Sequence, residues 1–153
     1  MLAQRLKEYL DCKGVSYSSL VHSQAFTAQE VAASAHVSGR SLAKTVIIQM
    51  DGDLAMAVLP ANRKIILQDL HDVTGADQIR FATEKEFKAR FPDCETGATP
   101  PFGNLYGMEV FVARSLADED EIAFNAGTHT DVVRMKYADF DRLVHPTVLS
   151  FTT

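Results

Sequence analysis

Apolar residues recur at helical spacing in some segments of this chain and as short continuous runs in others. Leu2, Leu6, Tyr9 and Leu10 form one helical stripe, and Gly14 offers the positive φ with which helices commonly end. Short helices are therefore expected to alternate with short strands. The same patterns predict further strands over 15–21, 79–82, 108–113, 122–125, 131–135 and 148–151, and helices over 27–35, 67–73, 83–91 and 137–144.

The clearest local prediction is a β-hairpin around Asp51 and Gly52. The apolar runs 45–50 and 54–59 flank this dipeptide, and Pro60 follows the second run. Asp-Gly supplies the two positive φ angles that a type I′ turn requires. Short strands and helices that include a hairpin are typical of an α+β domain. We therefore expect a single α+β domain over residues 1–153, with a mixed, mostly antiparallel sheet flanked by short helices.

Composition and the N-terminal sequence predict the class of protein and its location in the cell. The 153 residues, 46% hydrophobic and 23% charged, are those of an ordinary globular protein with a core. The N-terminus becomes charged at Arg5, Lys7 and Glu8, before a signal-peptide core could form. We expect a cytoplasmic protein without membrane association, with a monomer as the default. Cys12 and Cys94 match no metal or redox spacing, so we expect both to be reduced, with no metal and no cofactor.

The net charge of −5 limits what nucleic acid this protein binds. Non-specific binding is disfavoured because phosphate neutralisation normally supplies that affinity, and no helix-turn-helix signal indicates sequence-specific DNA binding. Only a local basic patch would serve. The candidate residues for such a patch are Arg80, Lys85, Lys88 and Arg90, with Arg63 and Lys64 alongside. The alternative interpretation is that they belong to an exposed helix of mixed charge.

The segment from Gly97 to Gly103 has unusual control over its backbone. It holds two glycines, two prolines and an aromatic residue in seven positions. Glycine frees φ, whereas proline fixes it and removes an N–H, so such a loop can hold its remaining amides aimed at one point. Amides held in this way bind an oxyanion or a ribose hydroxyl. An ordinary turn is the competing interpretation.

Lys44 directly precedes the apolar run Val46–Ile48, so the start of a core strand would present its ammonium group. A lysine in that position binds a phosphate or a ribose oxygen as a point charge. The alternative is a lysine that only extends to solvent at the sheet edge. The sequence around it, Gly39–Thr45, is not a P-loop, because Ala43 stands where the glycine before the lysine is required.

Familiar catalytic signatures are missing elsewhere: the chain has no nucleophile elbow, no zinc-protease motif and no dinucleotide fingerprint. His36, His71 and His145 are predicted at the surface. His22 and His129 lie beside turns near stronger features, although single histidines of this kind are more often structural.

Three separated motifs resemble those of the YbaK/prolyl-tRNA-synthetase-associated editing family. They are Ala43-Lys44-Thr45-Val46, the loop Gly97–Gly103 and Ala126-Gly127-Thr128-His129, and the segment 22–32 is similar to the first helical region of the family. The resemblance runs from about residue 6 to residue 151. It implies a free-standing deacylase that hydrolyses the ester of a mischarged tRNA, often tRNA(Pro), at its acceptor end.

The resemblance also implies roles for particular residues. Lys44 matches a lysine that contacts the terminal adenosine, while Gly97 and Pro101 match a G-x-x-x-P loop whose amides position the substrate carbonyl. Water or a substrate group is then the nucleophile, which fits an ester that is already activated. The candidate substrate-binding residues are Phe26, Thr45, Ala98, Thr99, Phe102, Gly127, Thr128 and His129. Phe26 and Phe102 would line the amino-acid pocket or stack on adenine, with burial in the core as the alternative.

Selectivity stays open at the level of sequence. A pocket discriminates one methylene by only about 1–3 kcal/mol, so a few side chains decide the substrate. Alanine or 2-aminobutyrate is favoured, while Ser41 and Thr99 would equally suit a hydroxyl-bearing substrate. Cysteine, serine and threonine are the other possible substrates. The rival hypothesis is a module that binds the aminoacyl group or a nucleotide, or docks on an aminoacyl-tRNA synthetase, without turnover.

Overall fold

The computed structural model describes residues 3–21 and 38–153. The helix predicted over 27–35, together with His22, Phe26 and His36, lies outside the described residues. The helices are α1 (Gln4–Lys13), α2 (Leu67–Thr74), α3 (Glu84–Phe87), α4 (Arg114–Ala117) and α5 (Tyr137–Val144). The strands are β1 (Tyr17–Val21), β2 (Leu42–Met50), β3 (Asp53–Pro60), β4 (Ile79–Phe81), β5 (Glu109–Ala113), β6 (Glu121–Asn125), β7 (Asp131–Lys136) and β8 (Thr147–Leu149).

All eight strands join one mixed sheet in the order β1-β7-β6-β2-β3-β5-β8, with β4 paired separately to β2. The pairs β1–β7, β6–β7, β2–β3 and β2–β4 are antiparallel, whereas β2–β6, β3–β5 and β5–β8 are parallel. The predicted α+β class with a mixed sheet is therefore confirmed. Short helices link the strands, as the alternating sequence pattern indicated.

Local signals set most element boundaries. Asp51 (φ 50°) and Gly52 (φ 89°) form the turn of the β2–β3 hairpin, in which Met50 pairs with Asp53. Gly14 and Gly75 end α1 and α2 in the left-handed conformation. A capping box begins α3, within the helix predicted over 83–91, and there the Thr83 amide donates to the Glu86 carboxylate at 2.8 Å.

The acidic run 118–121, between the strands predicted over 108–113 and 122–125, is not a simple loop. The one-turn helix α4 precedes the turn and Glu121 already belongs to β6. A helix of four residues is too short to show a helical period in the sequence, and Leu116, buried against the core, holds it in place.

The sheet separates two layers of core. One cluster packs α1 and α5 on the face that carries Ala43, Ile47 and Phe124, and the other packs α2 on the face that carries Ile48 and Leu59. Side chains alternate along β2 between these clusters, because successive residues of a strand point to opposite faces. In the part of the chain that the structure describes, no helix has the length and apolar content to cross a bilayer.

Gly103 is predicted to be indispensable for packing. A Cβ atom there would lie 2.5 Å from the Met108 carbonyl oxygen and 2.6 Å from Val110 Cγ2. Gly103→Ala is therefore expected to lower the free energy of unfolding by about 1–3 kcal/mol, measured by urea denaturation. Gly39→Ala is the control, since a Cβ there meets only Asn62 Cβ at 3.4 Å. Equal stability of the two variants would contradict this account.

Candidate functional site

A split in the sheet defines the candidate site. On one edge, β2 pairs with β6 only at Leu42 and Ala43, and with β4 only from Ile48 to Met50. Between these two short ladders, the edge of β2 faces no strand of the described chain. β3 pairs with β2 continuously along the opposite edge, so the split is a property of one side of β2 alone.

Thr45 lies at the centre of the split. The carbonyl of Leu42 accepts from β3 at Ala61, whereas the carbonyl of Ile47 accepts from Ala82 beside β4. Because the backbone of alternate strand residues faces alternate edges, the N–H and C=O of Thr45 point into the split. Its side-chain Oγ1 is also buried and has no hydrogen-bond partner among the residues that the structure describes. A buried polar atom without a partner costs free energy, and so marks a place where a ligand is expected.

A cavity of about 280 Å³ opens at the split, and Thr45, Gly97 and Thr99 all line it. The structure thus brings together three of the residues that the sequence selected, from segments more than fifty positions apart. The other lining residues are Val46, Ile47, Phe81, Ala82 and Phe87. The wall is therefore mainly apolar with a few polar groups, as is usual for small-molecule sites.

The loop from Gly97 to Pro101 is anchored rather than exposed. Gly97 has a φ of 86° and is the one exposed residue of this loop, while residues 98–103 are buried. The Ala98 amide donates to the Glu95 carbonyl at 3.0 Å, so it is not available to a substrate. The amides of Gly97 and Thr99 make no hydrogen bond within residues 3–21 and 38–153, and Pro100 and Pro101 have no N–H to offer.

The segment 126–129 supports this loop from behind. The Gly127 amide donates to the Ala98 carbonyl at 2.9 Å, and the Gly127 carbonyl accepts from Glu95 at 2.7 Å. The His129 amide donates to the Glu95 carboxylate at 2.7 Å, and His129 Nε2 lies 2.8 Å from the Thr96 carbonyl oxygen. A Cβ on Gly97 would be 3.3 Å from His129 Cε1. His129 therefore packs against Gly97.

Gly127 and Thr128 do not line the cavity. Gly127 is buried against Ala3, where an added Cβ would approach the Ala3 Cβ within 2.8 Å. The Thr128 hydroxyl donates to the Asp131 carboxylate and accepts from the Asp131 amide at 3.1 Å, so it shapes its own turn. Their predicted contact with substrate remains a prediction, since their observed contacts are within the protein.

Phe102 corrects the sequence-based expectation of a pocket wall or an adenine stack. Its side chain is fully buried, and its ring lies 5.4 Å from that of Phe140 and 5.5 Å from that of Phe124. Such edge-on and tilted contacts are typical of a core aromatic. Phe102 therefore anchors the end of the loop in the core, which was the alternative interpretation.

Lys44 precedes Thr45 on β2 but is not one of the residues that line the cavity. Strand alternation places its side chain on the face of Val46 and Ile48, opposite that of Thr45. Burial, and then the nearby charge of Lys64, lower the pKa of Lys44 below the ordinary lysine value. The side chain of Lys44 therefore lies on the opposite face of the sheet from that of Thr45, and the structure does not bring it into the cavity with the Gly97 loop.

A second, larger cavity of about 440 Å³ lies at the β2–β3 turn, α2 and β4. Asp51, at that turn, already accepts hydrogen bonds from the amides of Asp77 and Gln78, at 3.2 and 2.8 Å. Its lining lacks Thr45, Gly97 and Thr99, and among the described residues no buried unpaired side-chain atom faces it. The split, rather than the larger cavity, is therefore the better candidate.

Comparison with known proteins identifies the family. The sequence profile of the aminoacyl-tRNA editing domain matches residues 22–143, which is most of the chain. The chain belongs to this aminoacyl-tRNA editing domain family. This result confirms the resemblance inferred from the three motifs, and with it the class of aminoacyl-tRNA deacylase.

Individual relatives agree with the family. The editing domain is 29% identical over 157 aligned residues to the multifunctional Ser/Thr-tRNA deacylase ProXp-y of Escherichia coli (strain K12), covering 97% of this chain and 91% of that protein. Its fold is similar to that of hypothetical protein APE2540, with a TM-score of 0.86 and 18% identity; the match covers 98% of this chain and 100% of that chain. It is also similar to the fold of a candidate trans-editing enzyme for prolyl tRNA synthetase, with a TM-score of 0.83 and 18% identity; the match covers 99% of this chain and 96% of that chain.

The predicted basic patch of the editing domain carries few free charges. The Arg80 guanidinium makes two hydrogen bonds to the Glu86 carboxylate, at 2.6 and 2.7 Å, and holds the pKa of that carboxyl far below its usual range. Arg90 donates to the Tyr106 carbonyl at 2.9 Å, and Lys88 Nζ is 3.8 Å from a Glu84 carboxylate oxygen. Lys85 has no ion pair within the described ranges. Binding of tRNA by this patch remains a prediction.

Sequence reasoning did not select two aromatic residues of the site. Phe81 and Phe87 line the cavity, from β4 and α3 respectively. In the sequence they look like ordinary apolar positions of a strand and a helix. The capping box that begins at Thr83 was a usable signal, because it fixes the turn between these two rings.

The depressed pKa of Lys44 predicts a pH effect. If its ammonium binds substrate, kcat/KM falls as pH rises through that pKa, which lies below the ordinary lysine value. Lys64→Ala removes a like charge and should move this alkaline limb to higher pH. The measurement is ester hydrolysis between about pH 7 and 10, corrected for the uncatalysed reaction. Lys85→Ala is the control of equal charge change, and an equal shift in both variants would contradict the assignment.

Proposed function

We propose that this editing domain hydrolyses the ester bond of a mischarged aminoacyl-tRNA within the split between β4 and β6. The observation that carries the proposal is a group of polar atoms at one cavity: the hydroxyl of Thr45 and the amides of Gly97 and Thr99, which have no hydrogen-bond partner within residues 3–21 and 38–153. A narrow, mainly apolar cavity that collects such groups is suited to a small polar substrate.

The proposed chemistry needs no attacking side chain. Among the described residues that line the cavity, the hydroxyls are those of threonines and there is no serine or cysteine. A water oxygen bonds to the ester carbon, and the carbonyl oxygen becomes an oxyanion. The oxyanion then reforms the carbonyl as the bond to the ribose oxygen breaks, and a proton from the attacking water passes to that ribose oxygen. The amides of Gly97 and Thr99 donate to the oxyanion, and one such donor is commonly worth about 10²-fold in rate.

The remaining polar groups would orient the substrate. The Thr45 carbonyl is a suitable acceptor for the α-ammonium group of the amino acid, because both would lie inside the split. Lys44, on the opposite face, is positioned for the ribose or phosphate oxygens of the terminal nucleotide. Glu95 and His129 act as positioning residues, since their hydrogen bonds hold the carbonyls and amides behind Gly97.

We further propose that the preferred amino acid is small and carries a hydroxyl group. The buried Thr45 Oγ1 has no partner in the described part of the chain, and a substrate hydroxyl would supply one. The similar Escherichia coli protein is named a Ser/Thr-tRNA deacylase, which supports the same choice. Alanine or 2-aminobutyrate, which the sequence favoured, is the competing substrate. Ser41 gives no support to either, because its hydroxyl donates to Glu119.

A deacylation screen tests the proposal. Purified protein is mixed with tRNA(Pro) that carries serine, threonine, cysteine, alanine or 2-aminobutyrate, with correctly charged Pro-tRNA(Pro) as the control. We expect release of serine or threonine fastest, and proline essentially unchanged. Hydrolysis of the proline ester at a similar rate would refute an editing role. Retention of the mischarged tRNA without release of amino acid would instead support the binding-module hypothesis. Docking on a synthetase remains a separate prediction.

Thr45→Val tests the proposed role of the hydroxyl in specificity. The variant keeps the shape of the side chain but removes its Oγ1. We expect kcat/KM for the serine ester to fall about tenfold or more and that for the alanine ester to change by less than about threefold. Thr96→Val is the matched control, since its hydroxyl bonds to Glu84 at the surface. An equal loss on both esters would contradict the proposed contact.

A further inference from the structure

Phe81 is an exposed aromatic side chain at the mouth of the cavity. It is 51% exposed, yet it lines the same cavity as Thr45 and Gly97. The other large apolar side chains that the structure describes as exposed are aliphatic, at Val21, Ile66 and Val73. An exposed phenylalanine ring in contact with a candidate site is a surface that a flat, apolar ligand would cover.

The ring is held by the backbone on both sides. Phe81 pairs with Ile48 of β2, and the next residue, Ala82, donates its amide to the Ile47 carbonyl at 3.0 Å. The preceding residue, Arg80, is tied to Glu86 by two hydrogen bonds, and Thr83 begins the capping box that includes the same glutamate. Phe81 is therefore part of a fixed corner, which lowers the entropic cost of binding.

The side chain of Phe81 lies on the same face of the sheet as that of Lys44. Residues paired directly across an antiparallel ladder point to the same face, so Phe81 shares the face of Ile48, and hence that of Val46 and Lys44. The amides of the Gly97 loop reach the split from the other face. A substrate that spans the split thus meets amides and the Thr45 hydroxyl at one end, and the aromatic ring of Phe81 at the other.

We propose that Phe81 stacks on the terminal nucleobase of the acceptor end, an inference that rests on the proposed function. When the aminoacyl group occupies the cavity, the base attached to the same ribose must lie at its mouth. Aromatic side chains bind unstacked RNA bases through their flat faces, and this contact tolerates any base. The recognised group is therefore a purine or pyrimidine ring next to the ester-bearing ribose.

A fluorescence titration tests the stack without requiring turnover. The chain contains no tryptophan, so Phe81→Trp introduces a single reporter ring. We expect adenosine 5′-monophosphate to quench its emission saturably, and ribose 5-phosphate to leave it unchanged. Val73→Trp is the matched control, because Val73 is 49% exposed on α2, outside the cavity lining. Equal quenching of both variants, or none with Phe81→Trp, would overturn the proposal.

Kinetics then distinguish the tRNA end from a free nucleotide as the source of the base. Phe81→Ala should raise KM for the mischarged tRNA about tenfold with little change in kcat, whereas Phe81→Tyr should retain the wild-type value. On an aminoacyl ester of ribose without a base, Phe81→Ala should raise KM much less than it does on the tRNA. An equal rise in KM on the base-free ester, or no rise on the tRNA, would overturn the stacking role.

These experiments also separate the two levels of inference. A wild-type protein that hydrolyses neither ester would contradict the proposed function, while saturable quenching of Phe81→Trp by the nucleotide would still show a base-binding ring. A wild-type protein that hydrolyses both esters with the same KM would support the function and contradict the stack. Thermal unfolding of each variant checks that the exposed substitution leaves the fold intact.

Discussion

The site depends on one interruption of hydrogen bonding along β2. β6 and β4 each pair with a few residues at opposite ends of the same edge of β2. Thr45 lies between them with its backbone directed into the gap, and its hydroxyl has no hydrogen-bond partner within the described residues. Most buried backbone groups in proteins are paired, so this gap is costly unless a ligand fills it. The continuous β2–β3 ladder on the other edge supplies the rigidity that keeps the gap open.

The surroundings of the gap are consistent with this view. Two loops lie on one side, joined by hydrogen bonds between Glu95, Ala98, Gly127 and His129. The buried ring of Phe102 anchors the end of the first loop in the core. The glycine at the exposed position, Gly97, brings its backbone close to the cavity. A site built from main-chain groups in this way selects substrate by shape and by a few hydrogen bonds rather than by a reactive side chain.

The sequence predicted those features that depend on neighbouring residues. The Asp51-Gly52 hairpin, the Gly14 and Gly75 helix ends and the capping box at Thr83 all follow from local chemistry. The split was not predictable in this way, because it depends on which distant strands pair with β2. For the same reason Phe81 and Phe87 were not selected, and Phe102 was selected for the pocket although it lies in the core. The sequence around an aromatic residue does not tell whether its ring faces the core or a cavity.

A crystal structure with a non-hydrolysable analogue, in which serine is joined to adenosine by an amide in place of the ester, tests the central claim most directly. The account predicts the seryl group inside the split, with its carbonyl oxygen within about 3.2 Å of the Gly97 or Thr99 amide nitrogen and its hydroxyl at Thr45. An analogue bound in the larger cavity by the β2–β3 turn, with Thr45 still unpaired, would contradict it.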